Sequence, residues 1–197
     1  MLFRSDLAGL RLARLRAEWL ENPEGLGTPR PRLSWIVTSE ETNQRQTAYR
    51  ILAARTREAL DRDDALWDSG RVASAETLNI EYRGAALASG DEAWWKVKVW
   101  DAQDRESAWS EPAHFSIGLL DLADWNTDWI SHHDETALPT AREPLHLPPP
   151  RYYRGTAHVS GPIRRAVLHV TELGLAEPYI NGRRVTDAVF LPGWSDY

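Results

Sequence analysis

The stretch EAWWKVKVWD, from Glu92 to Asp101, alternates side chains with a period of two. One face is apolar and carries Trp95, Val97 and Val99. The other face mixes indole and ammonium groups and carries Trp94, Lys96, Lys98 and Trp100. This alternation is typical of a β-strand with one buried face. We expect the apolar face in a core, and the mixed face toward water with lysine stems lying over the indoles.

Shorter strand-like stretches surround this segment, and turn-rich loops such as ENPEGLGTPRPR separate them. They are LSWIVTS (33–39), TAYRILAAR (47–55), TLNIEY (77–82) and SAWSEPAHFSIG (107–118), with a weaker alternation over 12–20. Pro112 marks the last strand as an edge or a bulge. Thr56 predicts the N-cap of one or two helical turns. The spacing predicts a β-sandwich over residues 10–118.

A second β-region follows a linker over residues 119–150, which ends in three prolines. RRAVLHV (164–170) and AEPYINGRRV (176–185) are predicted strands. Asn181-Gly182 predicts a tight hairpin, because both central residues of a type I′ turn need positive φ.

Composition excludes several classes of function. The net charge is −6, and basic residues are scattered, so a nucleic-acid partner is not expected. The absence of cysteine excludes disulfides, thiolate metal sites and a cysteine nucleophile. No stretch has the length and hydropathy of a signal peptide or a membrane span, which predicts a soluble, cytoplasmic protein with no membrane partner, provided that Met1 is the native N-terminus.

Several phrases, taken together and in order, resemble the N-terminal region of bacterial α-L-rhamnosidases. They are LRAEWLENPEGLGTPRPRLSWIV, RQTAYRILAA, LWDSGRV, SAWSEPAHFSIGLLDLADWNTDWI and RRAVLHVTELGLAEPYINGRRVTDAVFLPGWSDY. The resemblance implies an all-β chain with three parts. These are a fibronectin III/Ig-like sandwich (10–118), a linker (119–150) and a partial galactose-binding-like jelly-roll β-domain (151–197).

The resemblance also implies where the chemistry takes place. In the family, the acids that hydrolyse terminal α-L-rhamnosides belong to a helical barrel further along the chain, and no residue here matches them. The sequence therefore predicts a non-catalytic portion of a glycosidase, with a structural or substrate-presenting role. It would meet rhamnose-containing glycans only through the full enzyme. A jelly roll needs about eight strands, so we expect that the chain is a fragment cut inside its second domain, and that unpaired edges favour a homodimer.

Two alternatives remain open. A stand-alone carbohydrate-binding module would use an aromatic plate with polar groups around it, for which the candidates are Asn181, Asp187, Trp194 and Asp196. Against this, the turn alone explains Asn181, and Trp194 would pack its loop. A protein-interaction domain would instead use Trp94 and Trp100 as an open aromatic patch.

Cofactor and metal chemistry have little support. DRDDALWDSG lacks the glycine and the final glutamate of a calcium loop. His132 and His133 are adjacent, so their side chains would point apart in an extended chain. Neither a glycine-rich phosphate loop nor a G-x-S-x-G motif is present. We therefore expect no cofactor, no metal and no catalytic residue in this chain.

Overall fold

The computed structural model describes residues 9–62, 64–132, 150–189 and 191. The chain divides into two compact units, Met1–Asp128 and Trp129–Tyr197, called here the first and the second unit. Regular structure in the described residues is almost entirely β, with two short 3-10 helices, Glu58–Asp61 and Leu122–Asp124. Within the described ranges, no helix has the length and apolar character needed to cross a bilayer.

Over residues 9–62 and 64–128, the first unit contains seven strands in two sheets. In chain order they are β1 (Arg11–Ala17), β2 (Arg32–Thr38), β3 (Ala48–Ala54), β4 (Trp67–Asp68), β5 (Ile80–Glu81), β6 (Glu92–Trp100) and β7 (Ala113–Ser116). One sheet has the order β1-β2-β5 and the other has the order β4-β3-β6-β7. Every pairing is antiparallel. The predicted sandwich is confirmed.

The core lies between the two sheets and is rich in aromatic rings. Trp35 enters from β2, Trp95 from β6 and Phe115 from β7, and each is at most 1% exposed. Tyr82 contacts Phe115 edge-on, with ring centroids 6.4 Å apart. Because a buried aromatic side chain removes about 150–250 Å² from water, these rings supply much of the apolar burial. The predicted inward face of β6 is confirmed, since Val97 and Val99 are also fully buried.

β6 is one of the two inner strands of its sheet. It pairs with β3 in continuous register from Ala48↔Trp100 to Ala54↔Trp94. On its other side β7 pairs only as far as Trp95. Beyond that point two serine hydroxyls replace the backbone acceptors of a paired strand. Ser110 Oγ accepts the Val97 N–H (3.1 Å), and Ser107 Oγ accepts the Val99 N–H (3.1 Å). β7 is an edge strand, as Pro112 predicted.

Local details refine the predictions. The predicted helical turns are the 3-10 helix Glu58–Asp61, but its N-cap is Arg57 rather than the predicted Thr56. The Thr56 hydroxyl accepts the Ala59 N–H at 3.2 Å. Strand β4 was not predicted from the sequence. Asp68 pairs there with Leu52 of β3.

The second unit has a different character. Its described strands are β8 (Tyr179–Ile180) and β9 (Arg183–Arg184), which form one hairpin. Every described residue from 150 to 189 is exposed or half-buried. The predicted strand over 164–170 is wrong for the structure as described, since this segment pairs with no described residue. A strand needs partner N–H and C=O groups, and the described residues offer it none.

Candidate functional site

The Asn181-Gly182 turn joins β8 to β9 as predicted. Asn181 has φ +50° and Gly182 has φ +77°, the left-handed values that a type I′ turn requires. The Val185 N–H donates to the Pro178 carbonyl at 3.0 Å and closes the base of the hairpin. The turn therefore accounts for the asparagine at this position, whose side chain is exposed.

A polar network fixes the hairpin to the loop that follows it. The Arg184 guanidinium donates to Glu177 Oε1 (3.0 Å) and to the Ala188 carbonyl (3.1 Å). The Tyr179 hydroxyl donates to Glu177 Oε2 at 3.1 Å. Asp187 lies in this loop and is exposed.

The structure tests the predicted carbohydrate site only in small part. It places Asn181 at the hairpin tip and Asp187 in the following loop, both exposed to solvent. Trp194 and Asp196 lie outside the described residues. The carbohydrate-binding role of these four residues stays a prediction.

The outward face of β6 forms a layer of cations and indoles, called here the cationic-aromatic face. It consists of Trp94, Lys96, Lys98 and Trp100, with Arg50 and Trp109. The Lys96 and Lys98 ammonium groups lie 5.3 and 5.1 Å from the centre of the Trp109 ring. Lys96 also forms a salt bridge with Asp61 (3.1 Å), and Lys98 forms one with Glu106 (3.0 Å). The predicted arrangement of lysines over indoles is confirmed.

This face is closed rather than open. Trp100 is only 9% exposed, and the Arg71 guanidinium lies 4.7 Å from the centre of its ring. Trp94 is half-buried between Arg57 and the imidazole of His114, whose ring centre lies 5.0 Å away. The interaction hypothesis required an open patch of Trp94 and Trp100, and the structure does not provide one. The packed face supports the structural interpretation instead.

Asp101 is the most deeply buried of the described carboxylates in the first unit, and its hydrogen bonds have a structural role. Its oxygens accept hydrogen bonds from the N–H groups of Gln103 (2.8 Å) and Arg105 (2.9 Å) and from Arg105 Nε (2.7 Å). Burial acts to raise the pKa of Asp101, but these hydrogen bonds outweigh it and the pKa lies below its ordinary value. The carboxylate thus holds the loop after β6 and has no proton to offer a substrate.

The same direction holds for the other perturbed carboxyl groups. Where the pKa of a described carboxyl group departs from its ordinary value, it is lowered, as for Glu18, Glu21, Glu41, Glu58, Asp68, Asp91, Asp101 and Asp124. For Asp68 the main cause is the hydrogen bond from Arg50. A glycosidase acid needs a raised pKa. The shifts in the described residues therefore favour a non-catalytic role.

Sequence reasoning missed one polar surface feature. A hollow of about 490 Å³ is lined by Glu18, Thr28, Arg30, Arg32, Asn79 and Glu81. Glu18 and Trp19 form the centre of a two-residue turn, in which Ala17 and Leu20 exchange both backbone hydrogen bonds at 3.0 Å. Their φ values are +48° and +69°, and a left-handed conformation costs about 1–2 kcal/mol for such residues. Tight turns do not favour a Glu-Trp pair at their centre, so the local sequence does not predict a turn at Glu18 and Trp19.

Comparison with known families assigns both ends of the chain. Residues 12–121 match the family described as "Rha78A-like, N-terminal immunoglobulin domain". Residues 161–197 match the family described as "Alpha-L-rhamnosidase N-terminal domain". The first match covers the described sandwich from the second residue of β1 to the end of β7.

Individual relatives agree with these matches. An α-L-rhamnosidase of Formosa agariphila is 33% identical over 183 residues, which is 92% of this chain and 20% of that protein. One from Alteromonas sp. (strain LOR) is 33% identical over 183 residues, 91% of this chain and 20% of that protein. The chain thus spans about a fifth of the length of these curated relatives.

Solved structures show the same likeness. The crystal structure of Streptomyces avermitilis α-L-rhamnosidase complexed with L-rhamnose has a TM-score of 0.60 at 35% identity, over 62% of this chain and 12% of that chain. The α-L-rhamnosidase from Dictyoglumus thermophilum has a TM-score of 0.60 at 32% identity, over 62% of this chain and 14% of that chain.

Proposed function

Because this chain belongs to the family of Rha78A-like N-terminal immunoglobulin domains, we propose that it is the non-catalytic N-terminal portion of an α-L-rhamnosidase. The whole protein would hydrolyse terminal α-L-rhamnosides of rhamnose-containing glycans. The observation that carries this proposal is the order of the two family matches, the immunoglobulin domain at 12–121 and the rhamnosidase N-terminal domain at 161–197. A chance match to one short motif would not produce that order.

The structure supports a structural role for the first unit. Its core is apolar and rich in aromatic rings, and its cationic-aromatic face is already covered by side chains of the same unit. A rigid sandwich of this kind holds neighbouring parts of a large enzyme in place without joining the reaction. Glycoside hydrolysis needs a pair of carboxyl groups, of which the acid has a raised pKa. The perturbed carboxyl groups described here have lowered pKa values instead.

Two proteins test the proposal. The first is the purified 197-residue chain, and the second is the product of the coding sequence read onward from the codon for Tyr197. With an aryl α-L-rhamnoside as substrate, we expect L-rhamnose release by the longer product and none by the 197-residue chain. Hydrolysis by the 197-residue chain would contradict the non-catalytic role. A longer product that cleaves a different glycoside, or a stop codon directly after Tyr197, would contradict the assignment to a rhamnosidase.

A further inference from the structure

The tip of the β8–β9 hairpin joins an asparagine to a glycine, and no other asparagine in the sequence precedes a glycine. Asn181 is exposed, and its side chain takes part in none of the hydrogen bonds that the described residues form around the hairpin. The Gly182 N–H donates to no described backbone carbonyl. A side-chain amide and the peptide nitrogen that follows it therefore both face solvent in the described part of the chain.

An asparagine side chain can react with the peptide nitrogen that follows it. Here the Gly182 nitrogen would lose its proton and attack Asn181 Cγ. The new N–Cγ bond closes a five-membered succinimide ring, and the Cγ–Nδ2 bond breaks to release ammonia. Water then opens the ring at either of its two carbonyls, which leaves aspartate or isoaspartate. The sequence of steps consumes one water molecule and needs no oxidant, reductant or cofactor.

The residue that follows each asparagine decides how easily this attack takes place. The described asparagines with a left-handed backbone are Asn22, Asn43, Asn79 and Asn181. The first precedes Pro23, which has no N–H to lose. The next two precede Gln44 and Ile80, whose side chains crowd the nitrogen. Gly182 has no side chain, and the space where one would begin contains no described atom within 4 Å. Asn181 is therefore the favoured site of the four.

The hairpin must open before the reaction, because the closed turn holds both residues at fixed backbone angles. Opening costs little here. The ladder has only two residue pairs, and Tyr179 and Ile180 of β8 are 56% and 53% exposed. None of the described residues of the second unit is buried. A two-stranded hairpin without a core is marginally stable, and segments with few buried contacts open locally at low free energy.

We infer that Asn181 is a modification site, which converts to aspartate and isoaspartate without an enzyme whenever the hairpin opens. Either product places a new carboxylate at the hairpin tip. Isoaspartate also adds a methylene group to the main chain between residues 181 and 182. The pairing of Ile180 with Arg183 leaves exactly two residues for the turn. A longer main chain at this point therefore removes the register, and the modification prevents the hairpin from closing again.

The test is incubation of the purified 197-residue chain at neutral and at mildly alkaline pH. Peptide mapping by mass spectrometry follows each asparagine, and an isoaspartyl methyltransferase assay counts isoaspartate. We expect Asn181 to convert at least about tenfold faster than Asn43 and Asn79, a barrier lower by about 1.4 kcal/mol. The rate should rise with pH, because the attack needs the deprotonated nitrogen. Conversion of Asn43 or Asn79 at the rate of Asn181 would overturn the inference.

Two controls separate the chemistry from the fold. Asn181→Gly keeps a residue that accepts the left-handed backbone without strain, and it should abolish the isoaspartate signal. Guanidinium chloride that unfolds the first unit should leave the rate at Asn181 nearly unchanged, because the hairpin offers little protection. Persistence of the parent's isoaspartate signal in Asn181→Gly would overturn the inference. A rate at Asn181 many times slower in native buffer than in denaturant would also overturn it, since the hairpin would then stay closed.

Discussion

Strand β6 and residues 164–170 are both predicted to be strands from the sequence, but they differ in structure. β6 lies between β3 and β7, and its inward side chains Trp95, Val97 and Val99 are fully buried. In 164–170, Val167, Leu168 and Val170 are each about half exposed, and no ladder forms with any described residue. The comparison teaches that an apolar, strand-like sequence is not sufficient for a strand, which also needs hydrogen-bonding partners on at least one edge and a core to pack against.

The β8–β9 hairpin shows the opposite case. Its turn depends on two adjacent residues, and it forms although none of the second unit's described residues is buried. Local chemistry is therefore sufficient for a turn, whereas tertiary contacts are needed for a sandwich strand.

Amide hydrogen exchange is the measurement with the largest expected contrast. The amides of β3 and β6 should exchange more slowly than in an unfolded chain by about a thousandfold or more, because they open only with the whole unit. The amides of 164–170 should exchange almost as fast as in an unfolded peptide. Equal protection of the two regions would show that 164–170 has partners that the described residues lack, and the comparison would fail.

A matched pair of leucine truncations tests the difference in burial. Leu33 in β2 is fully buried, so Leu33→Ala should lower the free energy of unfolding of the first unit by about 2–5 kcal/mol. Leu173 in the second unit is 72% exposed. Leu173→Ala should change the same free energy of unfolding by less than about 0.5 kcal/mol. Urea denaturation followed by tryptophan fluorescence gives both values. Similar losses for both variants would contradict the assigned burial.

Asp101 makes the stability of the first unit depend on pH. Its folded-state pKa is lowered, so its contribution to stability is present above the unfolded pKa of about 3.9 and is lost as the pH falls through the folded pKa. Asp101→Asn should cost about 1–3 kcal/mol at pH 7. It should also flatten the loss of stability of the first unit below about pH 4.

The control for this prediction is Asp187→Asn, because Asp187 is exposed in the second unit. Thermal unfolding between pH 2 and pH 7 would compare the two variants and the parent chain. An Asp101→Asn curve that runs parallel to the parent curve at low pH would refute the role assigned to this carboxylate.

The smallest expected effect concerns the cationic-aromatic face. Lys98 lies 5.5 Å from the centre of the Trp100 ring and 5.1 Å from that of Trp109. Lys98→Met keeps most of the stem but removes the charge, and it should cost about 0.5–1 kcal/mol. Arg183→Met, at an exposed position of β9, should cost nothing measurable. If Lys98→Met leaves the free energy of unfolding unchanged, the cationic-aromatic face is held together by packing alone.

The sequence was informative where neighbouring residues decide the structure. The two faces of β6 and the Asn181-Gly182 turn follow from short-range patterns. The family was also within reach, because its phrases occur together over most of the chain.

Features that depend on distant residues could not be foreseen. Trp109 covers Lys96 and Lys98 only because the segment before β7 folds back over β6. The hollow combines residues 18, 28–32 and 79–81, which no spacing rule connects. The Glu18–Trp19 turn breaks the usual preference for glycine or asparagine at positive φ. Strand β4 has two residues, too few to show any period.

The serine contacts beside β6 have a consequence for how molecules of this protein meet one another. A sheet edge with a row of free N–H and C=O groups can recruit a strand from another chain, which is the first step of edge-to-edge aggregation. Beyond β7, Ser107 and Ser110 occupy the Val97 and Val99 amides, and their own N–H groups donate to the carbonyls of the same two residues. These backbone groups of β6 are therefore already hydrogen-bonded within the molecule. This part of the sheet edge has no free N–H or C=O group at Val97 and Val99 with which a strand of another molecule could pair.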